Sequence, residues 1–357
     1  MGLNVELLAQ PARRAVRVVA LGHIDEIRRA YDHFVAGDAD GLHDVRVALR
    51  RERTWLRAFR PFVADTLKRK ARRALATLAQ ATTSARDAEV AAAWVRQQSD
   101  VPPRAGAGFR DAAERLERER DDALREVRSR FRKQLPSLLD ALGKQFAAYS
   151  EQQPVEGPTA VTGMADAASE TAIAHAERLA QALAGVNAAS DPDALHRTRI
   201  AAKRLRYVLE PLYRGDDTPA SVAPLVELQD LLGDAHDMHT LWRRMVRDIG
   251  EMAARGARLR ALQSIGAKQA TGATSFPRLR TGLLELARRA HASERASLMA
   301  FQQRWSKTTA AEMLEAILRE LPEPSGEVSG PVSALAGLRA PSGCPRAHRS
   351  RPATCCP

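Results

Sequence analysis

At 357 residues the chain is long enough for two modest domains or one large one. Hydrophobic residues make up 45% and aromatics only 4%, a balance that favours packed helices over a β-sandwich, which leans on aromatic and β-branched side chains. The net charge of +12 and pI near 10.3 point to a polyanionic partner: nucleic acid, a phosphate polymer or an anionic membrane surface. The three cysteines, Cys344, Cys355 and Cys356, fall in the last segment, so no disulfide framework supports a core. No apolar run of transmembrane length and no signal-peptide pattern is present, which gives the expectation of a soluble, cytoplasmic protein.

In chain order, Arg13 to Phe34 shows helical periodicity through Val16, Val19, Ala20, Ile24, Ile27, Tyr31 and Phe34. Gly37-Asp38-Ala39-Asp40 stops that helix and starts the next, with Asp38 as the expected N-cap and Asp40 in the first turn. The next helix, Leu42 to Leu56, has two faces. His43, Arg46, Arg50, Arg53 and Arg57 form a cationic stripe, and Val45, Leu49, Trp55, Leu56 and Phe59 form a core side. Leu67 to Thr77 adds a dense basic helix start with Lys68, Arg69, Arg72 and Arg73. A further helix carries Arg86, Asp87 and Trp94. Ser99 to Gly108 reads as a turn, followed by a charged helix from Phe109 to Leu135 and another after Pro136. The Glu–Arg neighbours of that charged helix read as ordinary solvated pairs.

The segment 151–163, with its prolines and glycines, reads as a linker between a first half, 11–150, and a second half, 164–321. Ala165 to Ala184 resembles an opening helix. Asp191, Pro192 and Asp193 then repeat the earlier start signal, with Asp191 as the expected N-cap. In Leu195 to Leu209 the stripe returns as His196, Arg199, Lys203 and Arg206, beside a face of Ala201, Ala202, Leu205, Val208 and Leu209. The shared pattern is Asp-x-Asp-x-Leu-His-x-x-Arg, and the pairs Arg51/Arg204, Arg53/Arg206 and Leu56/Leu209 continue it in register. This reads as an internal duplication. Matching Asp87 to Asp237 extends the repeat, at the expense of a short gap. Glu210 stands where the first copy has Arg57, so the second stripe is expected to be shorter or locally neutralised. Leu225 to Trp242, Met252 to Gln269 and Leu279 to Trp305 read as the remaining helices. Residues 322–357 change to Pro, Gly, Ser, Ala and Arg and read as a disordered tail.

Two copies of a cationic stripe are a signal about binding rather than bond-breaking. No GxxxxGK[ST] loop, no GxGxxG after a strand, no HExxH and no CxxC pair occurs, so no cofactor is expected and no catalytic residue is assigned. His43 and His196 are candidates for metal ligation with Asp87, His236 and Asp237, for capping or core packing, or for phosphate contact. The arginines that share their face would repel a divalent metal, which favours phosphate. Arg forks and Lys point charges suit phosphate oxygens. The low aromatic content argues against single-stranded nucleic acid, which is bound by stacking.

The stretches LHDVRVALRRERTWLRAF and LHRTRIAAKRLRYVLEPL, with LQDLLGDAHD downstream, resemble the CHAD family (conserved histidine α-helical domain) from His23 to Trp305. The resemblance implies an all-α fold of two pseudo-symmetric four-helix-bundle halves around a shared basic groove that binds inorganic polyphosphate without catalysis. Carried over by position, the binding residues are His43, Arg46, Arg50, Arg51, Arg53, Arg57, His196, Arg199, Lys203, Arg204 and Arg206. Lys68, Arg69, Arg72 and Arg73 are added on electrostatic grounds. The family link also implies polyphosphate-metabolising enzymes as partners and polyphosphate granules as a location. No CYTH-like strand pattern is visible, so a stand-alone member is expected. The first half has LAQATTSARD where the second has LQDLLGDAHD, a departure from the pattern. The alternatives are a nucleic-acid-binding helical protein and a metal-dependent phosphohydrolase.

Overall fold

The computed structural model describes residues 2–38, 40–151, 162–186, 192–215, 220–265, 276–305 and 307–322. Asp191, nearly all of the 151–163 linker, the end of the expected helix at Gln269 and the tail after Pro322 lie outside the described residues. Among the described residues there are helices, turns and two isolated bridges, and no strand. The helices are α1 (Val5–Leu8), α2 (Ala12–Ala36), α3 (Gly41–Ala58), α4 (Arg60–Val63), α5 (Arg69–Ala81), α6 (Thr83–Arg96) and α7 (Gly106–Glu151), followed by α8 (Met164–Ala184), α9 (Pro192–Leu209), α10 (Ala223–Ser264), α11 (Phe276–Arg304) and α12 (Lys307–Arg319). The fold is all-α, as the composition and periodicity require.

The turn between α2 and α3 depends on glycine twice. Gly37 closes α2 at φ 93°, in the left-handed region that glycine enters without strain. A Cβ at Gly41 would lie 2.6 Å from the Phe34 Cα, so only glycine lets α3 start this close to α2. The start of α3 differs from expectation. Asp40, not Asp38, is the N-cap, and its side chain makes no capping bond. Asp38 instead accepts the Asp40 N–H at 3.2 Å and braces the turn.

The expected core face of α3 is buried in full: Val45, Leu49, Trp55, Leu56 and Phe59 are all closed to solvent. Trp55 also donates its indole N–H to the Val16 carbonyl at 3.0 Å, which satisfies its polar atom in the apolar interior. Arg17 is fully enclosed as well, and donates to the carbonyls of Arg13 and Phe62 and to Asp65 and Thr66.

Two pairs of expected helices are each one helix. The break at Pro136 does not occur: α7 runs through it. Proline removes one backbone bond, at about 3 kcal/mol or more in a helix interior. Phe131 and Leu135 before it, and Leu139 and Leu142 after it, are all buried against the same core, and Pro136 itself faces solvent. Burying four large side chains at roughly 1.5–3 kcal/mol each outweighs the lost bond. Likewise α10 continues from the expected Leu225–Trp242 segment into the one at Met252, because its apolar stripe Leu225, Leu228, Leu232, Ala235, Met238, Leu241 and Met245 never shifts phase.

In chain order α2, α3, α5, α6 and α7 make a first set and α8, α9, α10, α11 and α12 a second, but the packing crosses between them, with α7 against α11 as extensively as against α2. The apolar core does not divide along that line. A large core joins α2, α3, α5, the C-terminal half of α7, α8, α9, the start of α10 and α12. A smaller core draws on α6 and α7 from the first set and α10 and α11 from the second. There α7 crosses α11 at Gly108 and Gly282, where a Cβ on Gly282 would come within 2.6 Å of the Gly108 Cα. The N-terminus is fastened to the second set: Asn4 donates its N–H to the Leu212 carbonyl at 2.8 Å, and Pro11 bridges Gly163. This arrangement sets α3 and α9 side by side with their charged faces in a common cleft.

Candidate functional site

The cleft between α3 and α9 consists of two cavities that share Arg50, Lys203 and Tyr207. The first, about 760 Å³, is closed on one side by α8. Its charged lining is Arg50, Arg53, Arg57, Arg178, Lys203 and Arg204, against one carboxylate, Glu170. The second, about 610 Å³, is flanked by α2, α6 and α10. It carries Arg29, Arg50, Arg51, Arg86, Arg199, Lys203 and Arg206, with Glu26, Asp44, Asp230, Asp234 and Asp237 among them.

Helix geometry explains why these side chains meet. On α3, residues 43, 46, 50, 53 and 57 recur at three- and four-residue steps and so share one face, beside the buried Val45–Leu49–Leu56 face. On α9, Arg199, Lys203 and Arg206 do the same, with Ala202, Leu205 and Leu209 buried behind them. Gly233 on α10 lies against the Arg199 guanidinium, where a Cβ would make ordinary contact at 3.7 Å from its Nε.

Crowding like charges in a partly dry cleft has a visible electrostatic consequence. Burial, then the neighbouring Arg50 and Arg199 charges, pushes the Lys203 ammonium down to about 6. Burial and then Arg50 bring Arg46 down to about 10, and its guanidinium donates to Thr82 Oγ1 at 2.9 Å. Arg53 and Arg204 are lowered from the same causes, burial first and neighbouring guanidiniums next, and Arg199 is lowered by burial, opposed by Asp237 and reinforced by Arg50. His175 on α8 falls to about 4 through burial, then Arg178 and Arg204. The Arg199 Nε is enclosed and makes no hydrogen bond. Such a cluster is raised in energy until an anion enters, and charge-assisted bonds to phosphate oxygens would relieve it.

The expected residues fall into three groups. Arg46, Arg50, Arg53, Arg57, Arg199, Lys203 and Arg204 are gathered in or against the cleft. His43 and His196 are both largely exposed: His43 lines the second cavity, its pKa lowered by burial of part of its ring and then Arg86, and His196, lowered by burial of part of its ring and then Arg199, lies beside His236 with ring centroids 4.9 Å apart. Arg51 and Arg206 line the second cavity but are held by carboxylates. Arg51 Nε donates to Glu210 at 3.0 Å and Arg51 also pairs with Glu26, while Arg206 Nε donates to Glu210 at 2.6 Å. Burial opposes the Arg51 charge, yet Glu210 and Glu26 more than compensate and its pKa is raised. Lys68, Arg69, Arg72 and Arg73 line neither cavity; they sit at the start of α5, which packs on α3, α6 and α7.

Arg178 and His175 escaped the sequence reading, as did Arg86 as a groove residue. Thr171, Ala174, His175 and Arg178 form a stripe at helical spacing on α8, which was the available signal. Asp87 faces Asp237, Arg46, Arg199 and Arg244; burial, opposed by Arg46, raises its pKa. The two aspartates matched by the repeat therefore meet in space. Among the described residues no three His, Cys, Asp or Glu side chains converge as a metal-holding group.

A family model described as CHAD domain matches residues 19–247. Among solved structures, the chain is similar to the CHAD domain from the plant Ricinus communis, with 23% identity over 79% of this chain and 94% of that one and a TM-score of 0.54. It is also similar to PptA from Streptomyces chartreusis, with 16% identity over 82% and 99% of the two chains and a TM-score of 0.57. At these identities the structural likeness speaks for the fold alone. No curated protein matches the chain.

Proposed function

The chain belongs to the CHAD family, and on that premise we propose that it binds inorganic polyphosphate in the groove between α3 and α9, as a binding protein and not as an enzyme. The observation that carries the reading is the first cavity, where five arginines and the protonatable Lys203 face one carboxylate and continue through Arg50 and Lys203 into the second. A phosphate chain supplies repeating negative charge without bases, so it needs cations at intervals and no stacking platform. The cleft offers that. The same argument separates this ligand from duplex nucleic acid. Arg46, Arg50, Arg199 and Lys203 are recessed between helices, where a thin flexible chain reaches them and a rigid double helix does not. Polyphosphate-metabolising enzymes as partners and polyphosphate granules as a location follow from this reading as proposals. No helix among the described residues is long and apolar enough to cross a membrane.

Competition tests the reading. Purified protein is saturated with labelled long-chain polyphosphate and challenged with unlabelled polyphosphate or duplex DNA at equal phosphate concentration. Displacement by polyphosphate, with little by DNA, is expected. Equal displacement by DNA would replace the proposal with a general nucleic-acid interface, and phosphate release during the assay would overturn the non-enzymatic part.

A further inference from the structure

The two ends of the groove are built from the same three repeat positions. At one end stand Arg53 and Arg57 of the first copy with Arg204 of the second. At the other stand Arg206 and Glu210 of the second copy with Arg51 of the first. Arg53 corresponds to Arg206, Arg57 to Glu210 and Arg204 to Arg51. Five of the six are arginine, and Glu210 is the exception.

That one exchange changes the electrostatics of its end. Around Arg53 and Arg204 the charged neighbours that shift them are all cationic: Arg50, Arg57 and Arg178. Around Arg51 and Arg206 a single carboxylate spans both guanidiniums, one oxygen to each, and ties α3 to α9. Glu26 adds a second carboxylate to Arg51. The triad is mostly enclosed: Arg51, Glu210 and Arg206 side chains are 28%, 20% and 22% exposed. Pairs in that setting are screened less than surface pairs. Yet both arginines line the second cavity, so an arriving phosphate meets them already occupied.

We propose that Glu210 is an internal counter-anion that makes the groove one-sided. It holds Arg51 and Arg206 away from the ligand, so the polyanion anchors at the Arg53–Arg57–Arg204 end and is held more loosely at the other. Glu210 is thus an affinity-setting residue that works through two arginines and touches no ligand itself. This rests on the groove being the polyphosphate site.

The test compares the full chain with Glu210→Gln, which keeps size and shape and removes the charge. Polyphosphate binding is titrated from low to moderate salt, with helix content checked by circular dichroism. Freeing two guanidiniums should tighten binding by at least about fivefold at low salt and steepen the slope of log K against log salt by up to about 1.4, at roughly 0.7 per phosphate contact on a flexible chain. Should Glu210→Gln lose helix content, Glu26→Gln reads the same effect, because it releases Arg51 from one of its two carboxylates. Binding by the parent with an unchanged slope and equal or weaker affinity in a folded variant would overturn the role of Glu210 alone. Absence of binding by the parent would overturn the groove reading and this proposal with it.

Discussion

Raising the salt concentration is the perturbation that interrogates the groove as a whole. Seven guanidiniums stand in or against it without a carboxylate partner at ion-pairing distance among the described residues: Arg46, Arg50, Arg53, Arg57, Arg178, Arg199 and Arg204. Each phosphate they neutralise releases condensed counterions, at a slope of roughly −0.7 per contact for a flexible single chain. Full engagement therefore predicts a slope of log K against log salt near −5. Going from 50 to 200 mM then costs about a thousandfold in affinity. Fluorescence anisotropy with end-labelled polyphosphate measures this directly. Arg178→Gln, which empties one position on α8 that no repeat signal marks, should flatten the slope by about 0.7. A slope shallower than about −2, or an Arg178→Gln slope identical to the parent's, would refute engagement of the cleft as described.

Proton linkage gives a second expectation. Lys203 is held near 6 in the folded, empty groove against an ordinary value of 10.5, so it is largely neutral at pH 8 and must regain a proton to pair with phosphate. Polyphosphate binding should take up protons between those values and weaken as pH rises, and Lys203→Gln should remove that part of the uptake in calorimetry across buffers of different ionisation enthalpy. In the free protein the sign runs the other way: the unfolded chain holds this proton and the folded one does not, so the Lys203 contribution to stability grows as pH rises from about 6 toward 10.5. Neutralising Lys68, Arg69, Arg72 and Arg73 together should leave polyphosphate affinity within about twofold at moderate salt, because these residues line neither cavity and exposed distant charges are screened; a larger loss would extend the site to α5. Gly282→Ala should destabilise the protein by about 1–3 kcal/mol in urea unfolding, since its Cβ would press on the Gly108 Cα, while binding at the distant groove stays intact.

The fold was legible where periodicity and burial agree. Val45, Leu49, Trp55, Leu56 and Phe59 announce the inner face of α3, and every one is enclosed. Boundaries were harder. Pro136 looked like a stop, yet the buried residues on both sides of it hold α7 together, and this tertiary term cannot be seen in a local window. The same applies to α10, whose unbroken apolar stripe mattered more than its glycines. At the candidate site, duplication revealed the stripes on α3 and α9, but it could not reveal α8, because His175 and Arg178 belong to no repeated motif. Nor does charge count alone tell occupied from unoccupied cations. Arg51 and Arg53 look alike in sequence, yet one is clasped by two carboxylates and the other faces only guanidiniums. The substitution of Glu210 for an arginine was the one written hint of that difference.

The most direct measurement is a crystal structure of the protein with a short linear polyphosphate. The account predicts phosphates threaded past Arg50 and Lys203, with the best-ordered units against Arg53, Arg57, Arg178 and Arg204. Phosphates bound instead at the start of α5 or along the outer face of α10, with the cleft empty, would contradict it.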